Sequence, residues 1–299
     1  MPELQQTLKF LFAFLLLAAP VRTLSARVDE SSLREDVEML CSESFAGRSF
    51  SSGNTVLASM MIARRFAEAG VPAPDGGRFQ CFRDDRGICG RNVVGVLKGR
   101  SAKTVVIGAY YDGLGMLGGR LYPGADSNAS GVAMLLAIAE ELASGPALQE
   151  TLVFVAFDGH YSACAGASAF ASSMQLHPAL MLNLDTVGSS LAPVKRAVPD
   201  YLIALGGERW SRGLEAAAAR AGITLYYDYY GSRAFTDMFY RASGDHKPFM
   251  DEGVPCVMFT SGITNNTNRV GDQPSSLDYP LMRRRSSLLC AWLQKLDLK

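Results

Sequence analysis

The chain is poor in histidine and carries no net charge. Its 299 residues include three histidines, His160, His177 and His246, so any imidazole chemistry must use one of these. Basic and acidic residues number 29 each. That balance presents no dominant field to a nucleic acid or an anionic membrane surface, and neither is expected as a partner. No C-x-x-C pair occurs, which leaves a thiolate zinc site with little support. Beyond the N-terminus there is no long apolar run, so no integral membrane segment is expected in the mature chain. Internal repeats and low-complexity linkers are also missing, which favours one domain.

What is present begins with MPELQQTLKFLFAFLLLAAP, where Lys9 precedes an apolar run from Phe10 to Ala19. That run is well short of the roughly 20 residues that cross a bilayer. A basic residue before a short apolar core is the pattern of a secretory signal peptide, with cleavage expected after LSA at Ala26. A membrane anchor is the alternative. Residues 1–26 are thus read as a signal peptide and 27–299 as one exported domain, periplasmic or extracellular. Export permits some of the six cysteines to oxidise. Cys81 and Cys89 flank a short loop and are the expected pair, while Cys41, Cys164, Cys256 and Cys290 read as buried thiols.

Hydrophobic spacing sets the elements. Leu33, Val37, Leu40 and Cys41 recur at helical intervals within 31–43. A second helix over 53–70 stops at Gly70, with Pro72 beyond it. The β-branched runs 92–99 and 104–111 predict two strands joined as a hairpin. Strands are expected at 151–158, 179–188, 201–207 and 254–262, and helices at 129–142, 160–173, 210–221 and 280–296. Alternation of the two types predicts an α/β fold with a mixed, mainly parallel sheet covered on both faces.

Ligands of such sheets bind outside the carboxyl ends of the strands. Polar residues collect there: Tyr110, Tyr111 and Asp112 after the first long strand, Asp158, His160 and Tyr161 after 151–157, and Asp185 after 179–184. Asp126 and Ser127 precede the helix at 129–142, where an acid also serves as an ordinary N-cap. His177 reads as a surface loop residue, and the YYDYYG stretch at 226–231 as an aromatic strand and turn.

VVIGAYYDGLG, YPGADSNASGVAMLLAIAEEL, TLVFVAFDGHYSACAGASAF, MLNLDTVG, SGDHKPFMDEGVPCVMFTSG and NRVGDQPSSLDYP follow one another between residues 105 and 280. In content and order they resemble the co-catalytic zinc exopeptidases, the family of secreted bacterial aminopeptidases, glutamate carboxypeptidase and glutaminyl cyclase. CSESFAGR near the start fits as well. The resemblance implies a three-layer α/β/α sandwich around a twisted mixed sheet. It also implies two zinc ions held by two histidines, a bridging carboxylate and two further carboxylates, with a glutamate as general base. Such ions lower the pKa of bound water and clamp the intermediate, and the base passes the proton to the leaving amine.

Carried over position by position, the resemblance leaves most of that set replaced. The first family histidine falls at Tyr110, with Asp112 kept beside it. The bridging carboxylate falls at Ser127, after Asp126. The base falls at His160 and the adjoining glutamate ligand at Tyr161. Asp185 is the one ligand kept, and the last histidine falls at Asn268. His246 belongs to a block that supports the pocket. A phenol with a pKa near 10 is a poor zinc ligand at neutral pH, and Ser and Asn are poorer. The expectation is therefore an exopeptidase fold without the two-zinc centre and with no cofactor, holding a peptide or amino acid in the old cleft. The alternative is an enzyme with a remodelled or single-metal site built on His160 and Asp185, with Asp126 and Asp112 nearby. The hydroxyls of Tyr110 and Tyr161 are expected to meet Asp185 or Asp126, because a buried carboxylate without partners is costly.

Overall fold

The structure, a computed structural model, describes residues 28–50, 52–173 and 178–298. The expected signal peptide and His177 lie outside them. The strands are β1 (Phe79–Arg83), β2 (Cys89–Leu97), β3 (Thr104–Tyr110), β4 (Gly115–Leu117), β5 (Arg120–Tyr122), β6 (Thr151–Phe157), β7 (Leu180–Leu184), β8 (Tyr201–Leu205), β9 (Thr224–Tyr226) and β10 (Cys256–Thr260). The helices are α1 (Glu30–Cys41), α2 (Asn54–Glu68), α3 (Ser130–Ala143), α4 (Ala165–Ser173), α5 (Ser211–Ala221), α6 (Arg233–Ala242), α7 (Lys247–Asp251) and α8 (Tyr279–Leu293).

Eight strands form one mixed sheet in the order β1-β2-β6-β3-β7-β10-β8-β9. The central four, β6, β3, β7 and β10, are mutually parallel. Every residue of β3, β7 and β10 is buried, as two-sided helix cover requires. Val105, Ile107 and Ala109 of β3 enter the larger core with α1, α2, α3, α5 and α8. Val106 and Tyr110 face the other way, toward Phe170 of α4 and Phe249 of α7. The three layers follow from this alternation, and no helix among the described residues is long and apolar enough to cross a membrane.

Three expectations need correction. β2 and β3 do not form a hairpin, because β6 lies between them, antiparallel to β2 and parallel to β3. A strand as apolar on both faces as β3 is more stable deep in the sheet, between β6 and β7, than beside its chain neighbour. The helix expected over 160–173 starts only at Ala165; 160–164 are turns, with Ala163 and Cys164 at φ 53° and 54°. That turn lifts His160 and Tyr161 off the end of β6. Cys81 and Cys89 are free and exposed. The β1–β2 register sets Cys81 opposite Arg91 and Cys89 opposite Arg83, so the two thiols sit diagonally rather than face to face.

Candidate functional site

The parallel strands β3, β6 and β7 deliver their C-terminal residues to one edge of the sheet. Tyr110, the last residue of β3, stacks on His160 with ring centroids 3.7 Å apart and planes 10° from parallel. Tyr161 meets both rings edge-on, at 6.0 Å from Tyr110 and 5.2 Å from His160. Tyr111 faces away and donates to the carbonyl of Arg91 at 2.7 Å.

Asp112 is fully buried and holds the turn after β6. It accepts from the backbone N–H of His160 at 2.9 Å and from that of Tyr161 at 3.2 Å. Burial raises its carboxyl to about 6, against the pull of His160 and these two donors. Asp185, at the end of β7, is likewise raised to about 6 by burial, while the nearby His160 and Tyr110 side chains pull it back.

His160 Nδ1 lies 2.8 Å from Oδ2 of Asp245, which is fully buried. Burial alone would lower the pKa of the imidazole, but the Asp245 charge outweighs it and holds His160 well above the ordinary 6.5. Cys164 Sγ is 3.9 Å from the same nitrogen.

Tyr161 donates its hydroxyl to Oδ1 of Asn268 at 2.6 Å, linking positions 107 apart in the chain. Of the two tyrosines expected to meet carboxylates, Tyr110 lies near enough to Asp185 to influence its carboxyl. Tyr161 instead turns toward the loop that carries Asn268. Burial pushes the Tyr161 phenol up to about 12 and the Tyr110 phenol well above 10.

Asp126 and Ser127 form a separate group. Asp272 accepts from both of their backbone N–H groups, at 2.7 and 3.0 Å. Asp126 does not cap α3: its Oδ1 accepts from Gly188 N–H at 2.8 Å and from the Ser130 hydroxyl at 3.1 Å, tying the loop after β7 to the start of α3. Burial, reinforced by the Asp272 charge, raises Asp126 to about 7. Asn128 joins this group to the sheet by donating to the Leu184 carbonyl at 2.8 Å and accepting from Thr186 N–H at 3.0 Å.

His246 is buried and neutral, its pKa lowered to about 4 by burial. Its Nε2 bonds the Tyr240 carbonyl at 2.7 Å, and its ring stacks on Tyr240, which fits a supporting role. Two residues of the cluster escaped sequence reasoning, Asp245 and Cys164. The signals were available: Asp245 precedes the supporting histidine, and Cys164 stands four residues after His160.

A family model, Peptidase family M28, matches residues 92–293. The chain belongs to this family. Among solved structures it is similar to BSAP, a zinc aminopeptidase from Bacillus subtilis, with a TM-score of 0.69 at 13% identity over 89% of this chain and 94% of that one. LapA aminopeptidase of Legionella pneumophila gives 0.70 at 17%, over 90% and 73%. Glutaminyl cyclase of Porphyromonas gingivalis gives 0.70 at 16%, over 89% and 98%. At such identities the likeness is one of fold: the sheet and its helical cover are those of peptidase family M28.

Zinc chemistry belongs to this family, so the donors must be tested against it. The positions that the resemblance assigns to ligands offer one carboxylate, Asp185, and otherwise Tyr110, Ser127, Tyr161 and Asn268. Tyr161 and Asn268 are bonded to each other, and both phenols resist ionisation. This set does not suit a pair of zinc ions.

Proposed function

We propose that this member of peptidase family M28 binds a peptide or amino acid in its cleft and does not hydrolyse it through a two-zinc centre. The 2.6 Å bond between Tyr161 and Asn268 carries the reading: two groups that would have to turn toward metal are paired with each other. Charge supports it. Two zinc ions bring four positive charges and need carboxylates around them. At the positions that the resemblance assigns, three carboxylates have given way to Ser127, His160 and Tyr161. The purified chain should therefore leave aminoacyl anilides intact with zinc present. Peptides with a free amino terminus should raise its melting temperature, because a ligand of the native state stabilises it. Steady anilide turnover that depends on bound zinc would refute the reading. Export belongs to the same proposal, and protein recovered outside the cytoplasm should begin near Arg27.

One observation favours a second reading. A histidine held by a buried carboxylate at 2.8 Å is a workable acid–base group. In that case an activity exists that a His160→Ala variant loses, and full retention in that variant excludes it.

A further inference from the structure

We propose that His160, Cys164 and Asp245 form a site for one borderline-soft divalent cation, zinc foremost, distinct from the two-metal positions implied by the resemblance. One ligand atom from each of the three lies within 4.8 Å of the others. The separations are 2.8 Å from Nδ1 to Asp245 Oδ2 and 3.9 Å from Nδ1 to Sγ. Zinc bonds of about 2.0–2.3 Å in a tetrahedron set donors about 3.4–3.6 Å apart, so these two separations need to change by about half an ångström, and the third, within 4.8 Å, by about an ångström at most.

The geometry also excludes the obvious rival. A Cys-His-Asp relay needs thiol and carboxylate on opposite ring nitrogens, so that one orients the ring while the other exchanges a proton. Here both converge on Nδ1. A proton at Nδ1 serves one of them, whereas a cation at that point serves all three.

A second observation points to a ligand. Asp245 is fully buried, yet its Oδ1 has no hydrogen-bond partner among the described residues. Such an oxygen is costly unless a donor or a cation meets it, and a metal bound to this carboxylate supplies one. The donors are also held in place. Asp112 fixes the His160 backbone, and the Tyr240 carbonyl holds His246, the residue after Asp245. Burial keeps the Cys164 thiol protonated, with a pKa of about 11, until a metal displaces its proton. Imidazole, thiolate and carboxylate together select zinc or cobalt over magnesium and calcium, which prefer all-oxygen cages. Three protein ligands leave a fourth position for water or an incoming amine.

Cobalt(II) titration of the chelator-treated mature chain tests this without reference to activity, so its failure is separable from that of the proposed function. One equivalent should saturate a thiolate-to-cobalt charge-transfer band and the intense visible bands of tetrahedral cobalt, and zinc should bleach both. Cys164→Ser should abolish the charge-transfer band, and Asp245→Asn should weaken binding by more than about tenfold. A Cys81→Ser, Cys89→Ser double variant should retain the band. Cooperative urea unfolding of each variant confirms that it is folded. No band in the wild-type chain, or a band that survives Cys164→Ser, overturns the site.

Discussion

The two sides of the site are built by different rules. Around Asp126, charged side chains hold backbone. Asp272 takes two N–H groups, and buried Arg48 donates to the carbonyls of Leu40, Tyr111, Pro123 and Gly124. Buried Arg285 likewise donates to those of Val187, Ser189 and Tyr201. Around His160, Asp112 still holds two backbone N–H groups, but the functional side chains meet one another: Tyr110 on His160, His160 on Asp245, Tyr161 on Asn268. Groups that hold backbone set the loop paths and cannot change without moving the chain. Groups that pair through side chains are free to change in concert. On the proposed function, the family fold is kept by the first kind of group while the second kind carries the replaced donor set.

The contrast breaks most visibly at Arg48. Arg48→Met leaves several buried carbonyls unpaired and should cost about 3–5 kcal/mol in urea unfolding. A loss below about 1 kcal/mol would erase the distinction between the halves. Asp272→Ala strips the acceptor from two buried N–H groups and should cost about 2–4 kcal/mol by the same measurement.

The pH dependence sharpens the same point. The folded pKa of Asp126 is raised from 3.8 to about 7. A raised carboxyl contributes stability that is complete below 3.8 and lost as pH climbs through 7. Asp126→Asn keeps the oxygen that accepts from Gly188, so its urea midpoint should fall less steeply across that window than the wild type's. Equal slopes would contradict the assignment.

The smallest effect belongs to the side-chain half. Tyr161→Phe removes one partly exposed hydrogen bond and should cost about 0.5–1.5 kcal/mol. A loss as large as that of Asp272→Ala would mean that Tyr161 is scaffold after all.

Much of this architecture is legible in the sequence. The runs that became β3, β6, β7 and β10 are apolar on both faces, so burial and parallel pairing follow from composition, and the site falls where those runs end in Tyr110, His160 and Asp185. Strand order is less legible: nothing local in 92–111 says that a strand 40 residues later will separate β2 from β3. The turn at 160–164 was also hidden, because alanine-rich sequence reads as helix while the left-handed backbone at Ala163 and Cys164 depends on tertiary contacts. The contact of His160 with Asp245 spans 85 positions and has no periodic signature. The sequence shows Asp112 only as a kept neighbour of Tyr110, yet it holds two backbone N–H groups, a role visible only once the turn exists.

The most direct test is the zinc stoichiometry of the mature chain after equilibration with the metal at neutral pH, read by elemental analysis alongside an aminoacyl anilide assay. The account predicts one zinc per chain, lost in Cys164→Ser, and no hydrolysis. Two zinc ions per chain, retained in Cys164→Ser and accompanied by anilide turnover, would contradict it.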